Sequence, residues 1–387
     1  MNSIIFTIIS VLIWLASVLQ GTGYGDDVVG ITRIAIFAIF SLVFVFSAQK
    51  ELSKKNMLIG AIVVVSFVIV PYSLKQGTSG IEYLTTFLLV FILAKIKMKD
   101  SFIKITALAY GAMGILLLLA YNITPIFSKW NPNTIAMMAF FSYMVLYLGF
   151  MNVEKRLGKY FIIFTIIVYM SLISITSARS SIIFIAISAM NVFKILNLKN
   201  LYKRNIYMIL LLFPLIIAIA ITNIATTPYF KDLNRWSMEN LDKQIFSGRD
   251  IIWDYGFSVL GRHFWFGGGV INNGMHNSVV TVLHAFGSIG FIGWIFAFNS
   301  IIAKANNYLE DTYVREALTA FFLMYLQQAF ELGLVASRPN YIPYLVLGIM
   351  LGRIKLLQSK EKEEEARIKI APKRRFAFKL RRSRDEF

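Results

Sequence analysis

The chain alternates long apolar runs with short polar segments from one end to the other. A helix that crosses a hydrocarbon core of ~30 Å needs about 20 mainly apolar residues. Runs close to that length predict twelve membrane-spanning helices: 4–19, 31–46, 57–73, 81–94, 105–121, 134–151, 160–175, 181–195, 206–224, 278–302, 317–333 and 341–357. The pattern is typical of an all-α polytopic membrane protein.

The charges between these runs predict how the chain crosses the membrane. Every second connection is basic: 49–56, 95–104, 154–159, 194–204 and, more mildly, 304–316. The connections between them are poor in lysine, as in 21–30 with Asp26 and Asp27. Basic loops stay on the cytoplasmic side, so both termini are predicted to be cytoplasmic and the long polar stretch 226–277 extracytoplasmic.

This topology divides the chain into four parts. Nine spanning helices occupy 1–225, an extracytoplasmic loop 226–277, three spanning helices 278–357, and a basic cytoplasmic tail 358–387. The tail either lies along the anionic inner leaflet, where each basic residue near the surface contributes ~1 kcal/mol, or is a solvated segment.

Composition narrows the possible classes of function. Hydrophobic residues make up 57% of the chain and charged residues only 16%, and there is no cysteine. Disulfides, thiolate nucleophiles and thiolate metal sites are therefore excluded. The formal net charge of +18 is explained by basic cytoplasmic segments, so no nucleic-acid partner is predicted. Carboxylates on the outer side are sparse and unpaired, so no metal site is predicted either.

The predicted outer loop contains a helix start with an arginine in its first turn. Ser247 and Asp250 fit the N-cap and N3 positions, and the apolar spacing through Leu260 predicts an amphipathic helix at the membrane interface. Arg249 then lies beside free backbone N–H groups and the positive end of the helix dipole, which suits a diphosphate. Alternatively, Arg249 faces lipid phosphates or a loop carboxylate such as Asp242.

The same loop ends in a histidine. His276 stands directly before Asn277 and Ser278, which suit the N-cap of the next spanning helix. A histidine, with an unperturbed pKa of ~6.5, can act as general base on a sugar hydroxyl, although a single histidine is more often structural. His263 and His284 are interpreted as structural.

Glycines recur on both sides of His276. The triple glycine 267–269 predicts a hinge in the loop. Further along, Gly287, Gly290 and Gly293 are spaced by three residues and predict a smooth helix face for close packing.

Other candidates fall at predicted outer ends of helices. Arg179 lies in the short turn 176–180 and points either to the headgroups or into the bundle. Trp130 and Asn133 flank a helix start, where they suit a sugar, or else simply form that start with an interfacial aromatic residue. Charges gathered at outer ends, including Glu331, favour surface chemistry over transport, which needs sites near the midplane.

Together these motifs resemble the O-antigen ligase and polymerase superfamily, over most of the chain. The resemblance is carried by the turn Thr176 to Arg179, by Arg249 followed by Trp253, by His276-Asn277 at the loop end, and by the Asn-Pro-Asn segment 131–133. The turn reads Thr-Ser-Ala-Arg here, which departs from the Thr-x-Ser-Arg spacing of the family.

The resemblance implies a metal-independent inverting glycosyltransferase of the bacterial cytoplasmic membrane, without a cofactor. Arg179 and Arg249 are then expected to bind the diphosphate of an undecaprenyl-diphosphate-linked oligosaccharide, and His276 to position or deprotonate the acceptor hydroxyl. Further expected substrate contacts are Asn133, Trp253, Asn277 and Arg338. A chain-length regulator and a flippase are the implied protein partners.

The expected activity is polymerisation of the repeat unit of an O-antigen, capsular polysaccharide or exopolysaccharide. A ligase shares these motifs but transfers the glycan to lipid A–core. A lipid-linked oligosaccharide flippase is a further alternative, disfavoured because the predicted helix centres are apolar rather than lined with charge.

The predicted orientation can be tested with alkaline phosphatase fusions, since this enzyme needs an oxidising compartment to form its disulfides. We expect a fusion after Ser258 to be active and a fusion after Lys199 to be inactive. The opposite pattern would overturn the orientation.

Overall fold

The computed structural model describes residues 3–21, 79–123, 130–150, 156–176, 178–196, 202, 204–242, 244–336 and 339–382. Within these ranges the chain is helical and has no strand. The described helices are α1 (Ser3–Gly21), α2 (Ser79–Leu93), α3 (Asp100–Ile123), α4 (Pro132–Phe150), α5 (Arg156–Ile175), α6 (Arg179–Val192), α7 (Arg204–Ala225), α8 (Pro228–Leu241), α9 (Arg249–Arg262), α10 (Ser278–Asn306), α11 (Thr312–Gln327) and α12 (Ile342–Arg382).

The prediction of a helical membrane protein agrees with this architecture. In the described part of the chain, ten of the predicted runs are helices, and the runs 31–46 and 57–73 lie outside it. By length and composition, six described helices can cross a membrane: α3, α4, α5, α7, α10 and α12. A total of twelve crossings stays a prediction.

Burial separates inner from outer helices. The apolar stretch of α4 is 83% buried, whereas that of α7 is only 17% buried. Helix α4 is apolar on every side, as expected for a helix surrounded by protein, and it packs against α3, α5 and α11. Helix α7 turns much of its apolar surface outward, as a lipid-facing helix would.

An aromatic cluster packs α10, α11 and α12 together. The ring of Phe298 lies 5.0 Å from Trp294 and 5.4 Å from Phe321, and Tyr325 lies 5.7 Å from Trp294. Such pairs contribute about 0.5–1.5 kcal/mol each beyond the area they bury. Because lipid is as apolar as these side chains, close packing rather than escape from water holds the helices together here.

Three segments that are all predicted to lie on the cytoplasmic side of the membrane meet at one end of the bundle. Arg353 of α12 places its Nη1 2.6 Å from Asp100 Oδ1 and its Nη2 2.8 Å from Asp311 Oδ2. These carboxylates belong to the starts of α3 and α11. The connections before those helices and the C-terminal segment therefore share one end, which is the predicted cytoplasmic end.

Helix α12 does not stop where its apolar stretch ends. Its backbone continues as one helix to Arg382, and no break separates the spanning part from the basic tail. The sequence left open a surface-bound or a solvated tail, and the structure makes the backbone of this tail a continuation of the last spanning helix.

Helix α10 is broken at Gly287, and the glycine-rich part of the loop fills the break. Gly287 has φ 64° and ψ −164°, which interrupts the helical hydrogen bonds. Gly268 N and Gly269 N donate to the carbonyls of His284 and Ala285 at 2.7 and 2.9 Å. On the other side of the break, Ser288 N and Ile289 N donate to the carbonyls of Phe264 and Trp265 at 2.9 and 3.2 Å.

We call this pairing of 264–269 with 284–289 the glycine clasp. Non-helical backbone at membrane depth is tolerated only where its polar groups are satisfied inside the protein, and the clasp provides that. Two of the four hydrogen bonds come from Gly268 and Gly269, so the predicted hinge segment 267–269 is paired with α10, and hinge motion stays a prediction. Gly287 marks the break rather than belonging to a smooth glycine face.

The two segments of the clasp touch through two glycines. A Cβ on Gly267 would lie 2.5 Å from Gly287 N, and a Cβ on Gly287 would lie 2.5 Å from Gly267 N. Both residues also have positive φ. Neither position can therefore carry a side chain without moving backbone.

We expect Gly267→Ala and Gly287→Ala each to lower the melting temperature of the purified protein. The backbone conformation alone costs about 1–3 kcal/mol for a non-glycine residue, and the clash adds to it. Gly261→Ala is the matched control, because a Cβ on Gly261 meets nothing within 4 Å and alanine favours the helix by up to about 1 kcal/mol. Equal melting temperatures for all three variants would contradict the clasp.

Candidate functional site

Three ionisable side chains from separate segments meet where the loop joins the bundle. Glu331, with a side chain only 10% exposed, places Oε1 3.7 Å from Arg249 Nη2 and Oε2 3.8 Å from His276 Nδ1. Arg249 Nη2 also donates to the carbonyl of Phe330 at 2.9 Å. We call this group the Arg249–His276–Glu331 cluster.

The distances from Glu331 to Arg249 and to His276 are those of ion pairs, and they are longer than direct hydrogen bonds. Among the described residues, Arg249 Nε and His276 Nδ1 are buried atoms without a hydrogen-bond partner. Buried polar atoms are normally paired. The cluster therefore keeps unused hydrogen-bonding capacity on both of its basic residues.

Arg249 begins α9, as the loop sequence predicts, but the predicted cap is wrong. The N-cap is Gly248, with φ 75° and no side-chain cap bond. Ser247 is itself left-handed, with φ 54°, so it does not occupy the N-cap position and Asp250 does not complete a capping box. No side chain caps the start of α9; Arg249 N donates instead to the carbonyl of Phe246 at 3.0 Å, and Asp250 is the acidic residue of the first turn.

Trp253, one turn further along α9, supports the segment before His276. Its side chain is fully buried, and Nε1 donates to the carbonyl of Met275 at 2.5 Å. His276 follows with φ 45° and ψ 32°, a left-handed conformation that is uncommon outside glycine. Trp253 thus fixes the peptide from which His276 projects, and contact between Trp253 and a substrate stays a prediction.

Asn277 is the N-cap of α10, and this part of the prediction is confirmed. Its Oδ1 accepts from Val279 N and Val280 N at 3.0 and 3.1 Å. Its Nδ2 donates to the carbonyls of Pro214 in α7 and Ala329 after α11, at 2.8 and 3.2 Å. The amide is fully buried and fully used, so Asn277 joins three segments beneath His276; its predicted contact with a substrate is untested.

Two buried glutamines at the end of α11 connect the cluster to the turn that carries Arg179. Gln328 Oε1 accepts from Leu334 N at 2.8 Å, which closes the turn that holds Glu331. Gln328 Nε2 donates to Gln327 Oε1 at 2.5 Å, and Gln327 Nε2 reaches Ser180 Oγ at 3.5 Å. The start of α6 is therefore beside the head of α10.

Arg179 is the first residue of α6, and its side chain is exposed. Within the described part of the chain it has no ion-pair or hydrogen-bond partner. Its neighbour Ser180 contacts Gln327, which places a second cation at the same end of the bundle as Arg249.

Two further residues, Asn133 and Arg338, were predicted to contact the substrate. Asn133 is half-buried in the first turn of α4, where its backbone N–H donates to Asn131 Oδ1 at 2.9 Å. Trp130 lies just before this helix and is buried. Arg338 lies outside the described residues, so its predicted role stays a prediction.

Sequence reasoning missed the roles of Glu331, Gln327 and Gln328. Glu331 was recognisable as a charge at the outer end of an apolar run. Its pairing was not, because Arg249 and His276 are distant in sequence. The glutamines carried no signal beyond being polar at the end of a spanning helix.

The chain matches no protein-family model and no curated protein. In the described ranges, no group of three or more His, Cys, Asp or Glu side chains is placed to hold a metal ion. The chemistry of the cluster is thus argued from its own residues: two basic side chains with unused donors, one buried carboxylate and an uncapped helix start.

We expect Asn277→Ala to destabilise the protein more than Asn131→Ala. Both substitutions remove an amide at a helix start, which costs about 1 kcal/mol. Asn277→Ala also removes the two hydrogen bonds that Nδ2 donates to the carbonyls of Pro214 and Ala329, at about 0.5–1.5 kcal/mol each. Thermal unfolding of the purified variants measures the difference, and equal losses would contradict the joining role of Asn277.

Proposed function

We propose that this protein is a glycosyltransferase of the bacterial cytoplasmic membrane that transfers a glycan from undecaprenyl diphosphate to a sugar hydroxyl on the outer face. The observation that carries the proposal is the convergence of Arg249, His276 and Glu331. A guanidinium, an imidazole and a carboxylate meet there beside an uncapped helix start. This set suits a reaction in which a diphosphate leaves and a hydroxyl loses its proton.

Arg249 is the proposed ligand of the leaving diphosphate. Its Nη2 is oriented by Phe330 and Glu331, while its buried Nε has no partner among the described residues. The side chain as a whole is 23% exposed, and a phosphate oxygen would bind its accessible part in a charge-assisted hydrogen bond. Charge that develops on the diphosphate during transfer is then stabilised by a donor already in position.

His276 is the proposed base for the acceptor hydroxyl. Glu331 faces its Nδ1 at 3.8 Å, which leaves the other nitrogen, Nε2, to take the proton of the hydroxyl. In the proposed step the acceptor oxygen attacks the sugar C1, the bond from C1 to the phosphate oxygen breaks, and the hydroxyl proton passes to His276. Undecaprenyl diphosphate departs with the bonding electrons.

Arg179 is the proposed second cation. Its side chain is exposed and lies at the start of α6, next to Ser180, which contacts the glutamine pair below the cluster. Two cations suit a diphosphate better than one, because the negative charge is spread over both phosphates.

Repeat-unit polymerisation is the proposed form of this chemistry. It rests on the resemblance in the motifs around Arg179, Arg249 and His276, with a second lipid-linked repeat unit as the acceptor. A chain-length regulator and a flippase are the proposed partners. If the acceptor is lipid A–core instead, the same residues would serve a ligase.

The test uses a deletion strain complemented with single variants, read as the glycan ladder on a gel. We expect His276→Ala and Arg249→Ala to abolish long chains, since loss of a general base costs about 10²–10⁴-fold in rate. Arg249→Lys should be nearly as damaging if the diphosphate is bound by two nitrogens at once. Insertion of each variant is checked by membrane immunoblot.

The loop offers matched controls. Arg262 ends the same helix as Arg249 and is exposed, and His263 is an exposed histidine in the same loop. We expect Arg262→Ala and His263→Ala to keep a normal ladder. Normal ladders from the His276 and Arg249 variants would refute the proposed site.

The deletion strain itself separates the activities. A polymerase defect leaves a single repeat unit on the normal acceptor, whereas a ligase defect accumulates long lipid-linked polymer. Accumulation of a lipid-linked unit that faces the cytoplasm would identify a flippase and refute the proposal.

A further inference from the structure

Within the part of the chain that the structure describes, helix α8 carries a stripe of exposed large apolar side chains. Tyr229, Leu233 and Trp236 are 79%, 39% and 54% exposed. They are spaced by four and three residues, so they lie on one face of the helix. Single exposed apolar residues are ordinary in any protein, but an aligned set that includes a tyrosine and a tryptophan is typical of a surface that contacts lipid or another protein.

The other faces of α8 have different partners. Phe230 and Ser237 are buried against the protein. Charged side chains occupy the arc away from both the buried face and the stripe: Lys231, Asp232, Arg235 and Glu239. All four are exposed. The helix therefore has a protein side, an apolar side and a water side.

The place of α8 in the chain points to the occupant of the stripe. The spanning helix α7 ends at Ala225, and α8 begins at Pro228. Thr227 caps α8 by accepting from Phe230 N at 3.4 Å, and Pro228 is at its first position, so the new helix starts at once. Its first turn is thus at the level where α7 leaves the hydrocarbon.

We propose that α8 lies in the headgroup region of the membrane leaflet in which α7 ends, with its stripe inserted into lipid. Tyrosine and tryptophan are the residues enriched at this depth. The mixed charges of the water side suit headgroups that carry both signs, and an interfacial helix needs these two unlike faces. Under the proposed topology this is the outer leaflet.

Helix α8, which we call the anchor, is connected to Arg249. The ring of Phe230 stacks on Phe246 at 4.6 Å with an interplanar angle of 9°. Asn234 Oδ1 accepts from Ile245 N at 3.0 Å. The segment directly before Arg249 is therefore fixed to α8, and the anchor sets the depth at which Arg249 meets a lipid-borne diphosphate. This second step rests on the proposed function, whereas the insertion of α8 does not.

The first experiment places single spin labels on the full-length protein in vesicles of phosphatidylethanolamine and phosphatidylglycerol. The chain has no cysteine, so each substitution gives one attachment site. The stripe is probed by Tyr229→Cys, Leu233→Cys and Trp236→Cys, and the water side by Lys231→Cys, Arg235→Cys and Glu239→Cys. We expect labels on the stripe to collide more with oxygen and less with a water-soluble nickel chelate than labels on the water side.

Two results would overturn the insertion of α8. Equal access of nickel to both sets would mean that the stripe lies in water. Shielding of the stripe from both reagents would mean that protein covers it, and dipolar broadening between labels on different molecules would identify a second copy of this chain.

The second experiment tests the connection to Arg249 in the complemented strain. We expect Leu233→Asp and Trp236→Asp to shorten or abolish the glycan ladder and Trp236→Tyr to keep it. Full activity of both aspartate variants would overturn the coupling. Failure of the proposed function would give a different result. The Arg249 and His276 variants would then keep a normal ladder, and the spin-label collisions on α8 would be unchanged.

Discussion

The structure depends on pairing backbone polar groups at the break in α10. A spanning helix that is interrupted exposes carbonyl and N–H groups, each of which costs several kcal/mol in a medium without water. The glycine clasp pairs four of them with the loop. The head of α10, which carries Asn277 and begins directly after His276, keeps its position because the loop is bonded to both sides of the break.

The candidate site is held by amides and an indole rather than by its own charges. Asn277 joins α7, α10 and the segment after α11, Trp253 holds the carbonyl before His276, and Gln328 closes the turn of Glu331. Neutral hydrogen bonds of this kind are fully satisfied and buried. Within the cluster, Arg249 makes one direct hydrogen bond, to the carbonyl of Phe330, while its Nε and His276 Nδ1 have no partner among the described residues.

The sequence predicted most elements of the fold but few of the contacts. Long apolar runs identified ten helices of the described chain, and the N-cap at Asn277 was correct because its chemistry is local. The cap at Ser247 failed because two successive left-handed residues, Ser247 and Gly248, reshape the start of α9. Helix α8 was missed because its apolar positions are too few for a spanning run. The partnership of Glu331 with Arg249 and His276 is tertiary, and no pattern along the chain encodes it.

The glycine clasp also bears on whether the break in α10 resembles an ion site. Channels and transporters use interrupted helices as ion sites, because unpaired carbonyls replace the hydration shell of a cation. In α10 the carbonyls of His284 and Ala285 accept hydrogen bonds from Gly268 and Gly269, so these two carbonyls are not left unpaired as they are in an ion site. If the proposed transfer takes place at this end of the bundle, the clasp keeps these two carbonyls paired with the loop while charge moves nearby.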